Sequence, residues 1–347
     1  MDFRSDNVAG IAPAILAAIA AANAGSASSY GEDDWTKRLQ AMMNALFERD
    51  VAVFPVATGT AANALALSAL APPWGLVCCH RLAHIEEDEC GAPEFFTGGA
   101  KLAPMDGAHG KIGAEDLARF LDLYGFGVQH HVQPAAVSIS QASECGTVYS
   151  VAETRAIAEV CRRHRLALHM DGARFANALV HQCASPAEAT WRAGVDVLSF
   201  GATKNGAMAA EAVVFFDPAR AADFLYRRKR AGHLFSKMRF LSAQLVAYLE
   251  DGLWLRLAAN ANAMAERLAR GLASLPGAEL AHPVEANEVF VRLPRPVRER
   301  LASAGARFHP WISAGADAIR LVVPFDADEA RIDRFLAVAA TAQAPTP

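Results

Sequence analysis

Two short segments of the sequence set a carboxylate and an amine at the ends of apolar runs. In Leu166-Ala167-Leu168-His169-Met170-Asp171-Gly172-Ala173-Arg174 the run closes on Asp171 and a glycine. In Val195-Asp196-Val197-Leu198-Ser199-Phe200-Gly201-Ala202-Thr203-Lys204-Asn205-Gly206 a similar run leads to Lys204. Apolar runs of this length bounded by glycine read as buried strands, so both groups emerge at strand ends. An ordinary ion pair at a sheet rim would use the same two residue types and contribute little. A third segment changes the balance. Residues 51–57 followed by Thr58-Gly59-Thr60-Ala61-Ala62-Asn63 read as strand, turn and helix. The first N–H groups of that helix, with the Thr60 hydroxyl, form an anion site. On its own a threonine before a helix is a common N-cap, so the order of all three segments carries the reading.

An amine that can bond an aldehyde, a carboxylate that keeps a pyridine nitrogen protonated and a cradle for a phosphate are together what pyridoxal 5′-phosphate requires. A ring over the cofactor face is also wanted. His80-Arg81-Leu82-Ala83-His84 follows an apolar run over 76–79 and brings His84 to the same rim. His80 and His84, four apart and followed by Glu86, Glu87, Asp88, Glu89 and Cys90, also admit a zinc site. Arg81, however, stands where a His-Glu-x-x-His motif needs its glutamate and no distal ligand pair follows, so no metal is expected.

The elements that must position these groups alternate in type. Strand-like runs over 51–56, 76–79, 135–140, 166–169 and 195–200 are separated by helical patterns, among them 59–70 and 151–165. This predicts an α/β fold with a large, mostly parallel sheet whose site lies at the carboxyl ends of the strands, where Thr58, Gln141, Asp171 and Lys204 fall. Residues 220–270 are helical and rich in Ala, Leu and Arg; 288–293, 319–323 and 330–340 read as strand, strand and helix. The expected division is a large cofactor-binding domain with an N-terminal arm over 1–250 and a smaller α+β domain over 251–347. A chain of 347 residues exceeds the size of one core.

Composition narrows the function classes. Hydrophobic residues make up 53% of the chain, charged residues 20%, and the formal net charge is −4, which suits a soluble enzyme and not a nucleic-acid-coating protein. Arg227-Arg228-Lys229-Arg230, with Lys237 and Arg239 nearby, reads as a solvated helix face or a phosphate-facing loop. Residues 11–22 lack the cationic start of a signal peptide, and no long uncharged apolar run suggests a membrane span. Six cysteines without CxxC spacing fit reduced thiols and a cytoplasmic location.

With these residues assembled, the chain resembles the L-threonine aldolases of the β-eliminating-lyase group, which share the aspartate-aminotransferase-like fold (fold type I). The likeness runs from Asp2 to about Phe325. It rests on Asp2-Phe3-Arg4-Ser5-Asp6, Ser29-Tyr30-Gly31-Glu32-Asp33, Thr58-Gly59-Thr60 with Ala62-Asn63, Ala83-His84, Glu87-Asp88-Glu89-Cys90-Gly91-Ala92, His169 to Arg174, and Thr203-Lys204-Asn205-Gly206. The resemblance implies cleavage of L-threonine, L-allo-threonine or phenylserine to glycine and an aldehyde. It implies Gly59 and Thr60 on the cofactor phosphate, His84 against the ring, Asp171 on the pyridine nitrogen and Lys204 covalently holding the cofactor. Ser5, Arg174 and Arg320 would hold the substrate carboxylate, Arg174 standing also among the residues around the cofactor. A guanidinium suits that task because it binds a carboxylate through two parallel hydrogen bonds.

Two departures touch the pocket: Ser140-Gln141 stands where many aldolases have Glu-Asn, and Thr203 where many have Ser. A base for the β-hydroxyl is required; His84, His130 and a bound water are the candidates, with His131 adjacent to His130. The alternative activity is another lyase or an aminotransferase on the same scaffold, since one fold hosts many chemistries. The resemblance further implies a homo-oligomer, tetramer or dimer, with Tyr30, Arg230 and Lys237 as residues that could reach a neighbouring site. The only small molecules expected as partners are the amino-acid substrates.

Overall fold

The computed structural model of the chain describes residues 1–341; residues 342–347, counted above in the smaller domain, lie outside the described residues. The larger of two sheets carries β1 (Ala52–Val56), β2 (Gly75–His80), β3 (Lys101–Met105), β4 (Gln133–Ser140), β5 (Ala167–Gly172), β6 (Val197–Gly201) and β7 (Glu211–Phe215) in the order β1-β7-β6-β5-β4-β2-β3. From β3 through β6 every pairing is parallel, and β7 runs antiparallel to both β6 and β1. β2, β5, β6 and β7 are buried along their whole length, which is why the first three read as continuous apolar runs and not as alternating ones. β3 and β7 were not anticipated from the sequence. The connection 202–210 before β7 is too short for a crossover helix, so the chain can only return antiparallel.

Helix Gly59–Leu70 buries Ala61 through Ser68, and its small side chains let it lie close on the sheet. Helix Val151–His164, which carries the chain from β4 to β5, opens on a reciprocal capping box between Ser150 and Glu153. Its C-cap, Arg165, takes the left-handed conformation that breaks the helix (φ 59°).

The smaller sheet adds β8 (Glu279–Leu280), β9 (Glu288–Arg292), β10 (His309–Pro310) and β11 (Ala318–Val322), all antiparallel, in the order β10-β11-β9-β8. Helix Leu253–Ala273 belongs to both units: Trp254 and Ala258 pack into the core of the large sheet, Ala265, Leu268 and Leu272 into that of the small one. The N-terminal arm, expected with the large domain, seats Phe3 in the small core, edge-on to Phe335 at 5.2 Å. Val322 N–H donates to the Phe3 carbonyl at 2.8 Å, and the arm then crosses toward the large sheet.

The carboxyl ends of β5 and β6 approach each other through two glycines. A Cβ on Gly201 would come within 2.7 Å of the Ala173 backbone, and one on Gly172 within 2.7 Å of Leu198 and of the Ser199 carbonyl. That absence of side chains lets the loops bearing Asp171 and Lys204 lie side by side. Gly201→Ala is therefore expected to cost about 1–3 kcal/mol through overpacking, read as a lower urea midpoint at unchanged slope.

Candidate active site

Asp171 projects from the last turn of β5, in register with Ser140 on one side and Ser199 on the other. Its Oδ1 accepts the Ala173 N–H at 2.9 Å and its Oδ2 the Asn63 Nδ2 at 2.8 Å. Burial by itself raises a carboxyl pKa, but the positive charges of His84 and Lys204 and the Ala173 N–H outweigh it, and Asp171 stays below the ordinary range. Behind it His169 is fully buried between the Ser138 and Ser199 hydroxyls, at 2.9 and 3.0 Å, and burial pulls its pKa down to about 4.

Asn63 also donates to Glu89 Oε1 at 2.8 Å, and that same oxygen lies 2.8 Å from His84 Nδ1. The His84 backbone N–H donates to Glu144 Oε1 at 2.8 Å, so two carboxyl groups, Glu89 buried and Glu144 half-buried, fix this residue at ring and main chain. The Glu89 contact raises the His84 pKa against the opposing effect of burial. Burial pushes Glu89 up as well, and the hydrogen bond between them engages Nδ1 of the ring and not Nε2.

Lys204 sits in the short turn Thr203–Asn205 after β6. Glu211, at the start of β7, accepts the Ala202 N–H at 2.9 Å, and burial lifts its carboxyl to about 7 against the pull of the Thr203 hydroxyl. Lys204, Asp171, His84, Asn63 and Glu211 line one cavity of about 290 Å³ together with Thr58, Gly59 and Thr60. Thr58 caps its helix by accepting the Ala61 N–H at 3.2 Å, which leaves the Gly59 and Thr60 N–H groups for an anion, and a Cβ at Gly59 would meet nothing within 4 Å. The residues fit pyridoxal phosphate: amine, carboxylate, imidazole and anion cradle face one volume.

Ala173, on the cavity wall, leads directly to Arg174. Arg174 is held by Asp6 at 2.6 Å and by Glu288 at 3.2 Å, yet its Nε is buried without a partner. Arg320, on β11, has the same orphaned Nε; its Nη2 reaches the Arg4 carbonyl at 3.5 Å and its guanidinium lies 5.7 Å from the Trp311 ring centre. Ser5 caps the turn Asp6–Val8 by accepting the Asn7 N–H at 3.1 Å, and Asn7 lines the cavity.

Not every expected residue arrives. His130 lies in the exposed loop before β4, at the amino end of that strand, whereas the cavity lies at its carboxyl end. Eight residues at about 3.3 Å each place roughly 25 Å between them, and the same holds for His131. Counting backward along the sequence from Gln141 hid this, because a strand carries its two ends to opposite edges of the sheet. Gln141 itself is buried away from the cavity, bracing the following loop through both main-chain groups of Tyr149. Nor do His80 and His84 converge: the His80 ring is taken by the Leu82 N–H and the Gly107 carbonyl. Among the described residues no group of three or more His, Cys, Asp or Glu side chains could hold a metal, and no helix is long and apolar enough to cross a membrane. All six cysteines are free. The Tyr30 ring lies 5.1 Å from Lys229 Nζ.

A sequence model of the β-eliminating lyases matches residues 2–295. The chain belongs to the β-eliminating lyase family. It is 47% identical over 96% of both chains to the low specificity L-threonine aldolase of a Pseudomonas strain, NCIMB 10558. Against the enzyme of that description in Pseudomonas aeruginosa it is 47% identical over 95% of this chain and 94% of that one. The structure superposes on the threonine aldolase of Leishmania major with a TM-score of 0.90 at 30% identity, covering 97% of this chain and 98% of the other. Family and superposition together establish fold type I.

Sequence reasoning missed Glu89, Glu144, Glu211, Asp6 and Glu288 as members of the site. A signal existed for two of them: Glu211 and Glu288 each open a strand and are followed by three or more apolar residues, where a buried charge requires a reason. Glu89→Gln is expected to lower the titration midpoint of His84, followed by histidine ¹H–¹⁵N NMR; an unchanged midpoint would remove Glu89 as the cause of the raised pKa.

Proposed function

We propose that this member of the family cleaves β-hydroxy-α-amino acids, L-threonine, L-allo-threonine and phenylserine among them, to glycine and an aldehyde, with pyridoxal 5′-phosphate as cofactor. One observation carries the reading. A single cavity presents an amine, a carboxylate, an imidazole and a free helix N-terminus, and beside it two arginines keep buried guanidinium N–H groups without partners. Lys204 Nζ would hold the aldehyde of the cofactor, Asp171 its pyridine nitrogen, the Gly59 and Thr60 N–H groups its phosphate, and His84 one face of its ring. Bound there, the cofactor supplies an acceptor for the electron pair released when the Cα–Cβ bond breaks.

The chain's own groups do the rest. Arg174 and Arg320 each offer an Nε–H to the substrate carboxylate, and with the Ser5 hydroxyl they fix which bond at Cα is turned toward cleavage. Glu89 holds the His84 ring by Nδ1, so Nε2 is aimed to take the β-hydroxyl proton. Among the described residues lining the cavity His84 alone carries an imidazole, which favours it over His130.

The test is product analysis. Holoenzyme incubated with each of the three amino acids should release glycine and aldehyde in equal amounts, and Lys204→Ala should release neither. Formation of a keto acid without glycine would replace this reading with transamination. Loss of a charged hydrogen bond is worth about 1.5–3 kcal/mol, so Arg320→Ala should raise KM by roughly ten- to a hundredfold. His84→Ala should lower kcat by about 10²–10⁴-fold. Because the His84 pKa is raised, its basic form disappears as pH falls through a value above that of free histidine. The acid limb of kcat/KM should therefore lie above about 6.5 and move down in Glu89→Gln.

A further inference from the structure

Four charged side chains meet where the N-terminal arm, the large sheet and the small sheet join. The set pairs two carboxyl groups, Asp6 and Glu288, with two guanidinium groups, Arg174 and Arg320, so with all four ionised it is neutral before any substrate enters. Asp6, Arg174 and Glu288 are almost wholly buried, with side-chain exposures of 1%, 12% and 1%. Glu288 pairs in register with Val322 and Arg320 with Phe290, so Glu288 and Arg320 are diagonal neighbours on one face of the small sheet.

The two carboxylates are not equivalent. Both oxygens of Asp6 accept hydrogen bonds, Oδ2 from Arg174 and Oδ1 from Asn287 Nδ2. Neither oxygen of Glu288 has a hydrogen-bond partner, and its approach to Arg174 is the longer of the two ion pairs. Glu288 is the weakly held member of a neutral buried cluster whose arginines await another carboxylate. If all four groups kept their charges, a substrate carboxylate would leave a net negative charge out of contact with water, which is costly.

We propose that Glu288 is the resident counter-ion of the arginine pair and takes up a proton from solvent when a substrate carboxylate binds. The proton goes to one of its free oxygens, and no bond of the substrate changes. Glu288 is a positioning residue in this role: protonated, it releases Arg174 to the substrate while Asp6 keeps that guanidinium in place. The groups that face Glu288 agree with the assignment. Burial pushes its carboxyl upward, Arg174, Arg320 and Lys204 pull it down, and Asp6 pushes it up. Cys145, on the loop after β4, has its thiol driven to about 12 by burial and stays neutral. The inference rests on the reading that Arg174 and Arg320 bind the substrate carboxylate.

The experiment compares holoenzyme and Glu288→Gln in glycine titrations from pH 6 to 9, followed by cofactor absorbance. Relative to the variant, the unaltered enzyme should lose affinity as pH rises, approaching tenfold per unit once Glu288 is ionised, because binding must then recover a proton. A constant ratio between the two across the range would overturn the proposal. A second measurement needs no variant. Calorimetry in buffers of different ionisation enthalpy should find about one more proton taken up with glycine than with methylamine, which brings the amine without the carboxylate; equal uptake at every pH would also overturn it. Arg320→Ala separates the two ideas. Unchanged glycine affinity in that variant defeats the carboxylate reading itself, whereas weakened affinity with a constant Glu288→Gln ratio defeats the proton coupling alone.

Discussion

Asp171 is buried yet its carboxyl is held below the ordinary range, and the rest of the site is arranged around that balance. A buried carboxylate left alone would take a proton. Here the compensation comes first from His84 and Lys204 on the cavity side, then from the Ala173 N–H and, least, from His169 behind the carboxylate, whose own burial pulls its pKa down to about 4. The charge of Asp171 is thus tied to His84 and Lys204, and a change at either of them shifts it.

Around that pair the protein places more carboxyl groups than it has cations to match. Glu211 is buried and Glu144 partly so, and desolvation lifts both to about 7, so near neutrality they carry only part of their charge. Each hydrogen-bonds to a main-chain N–H beside a key residue, Glu144 to His84 and Glu211 to Ala202. Acids of this kind can orient their neighbours without adding a full negative charge next to Asp171. They also make the site sensitive to any change that lets water in, since exposure would return them to ordinary acidity.

Much of this was legible in the sequence because chemistry and local structure agreed. The runs that end in Asp171 and Lys204 are buried strands, the Thr58-Gly59-Thr60 turn opens a helix within the predicted bounds, and His84 follows β2 as expected. What the sequence concealed was long-range. Glu288 and Arg320 become diagonal neighbours only through strand pairing, and Asp6 meets Arg174 across most of a domain. His130 shows the converse: nearness in sequence to a strand that ends at the site meant nothing, because its position belongs to the other end. β7 escaped notice because its short antiparallel return breaks the alternation that made the other strands readable.

The N-terminal arm carries a consequence for how the molecule comes into being. Phe3 docks against Phe335 and is bonded through its carbonyl to Val322, and the Asp6 that follows braces Arg174. During synthesis the arm leaves the ribosome long before β11 and the last helix exist, so it must wait, unpaired, until nearly the whole chain has been made. Closing so large a loop is slow compared with forming the local βα units. The large sheet can therefore assemble early around Asp171 and Lys204, while the junction of Asp6, Arg174 and Glu288 is the last part to close.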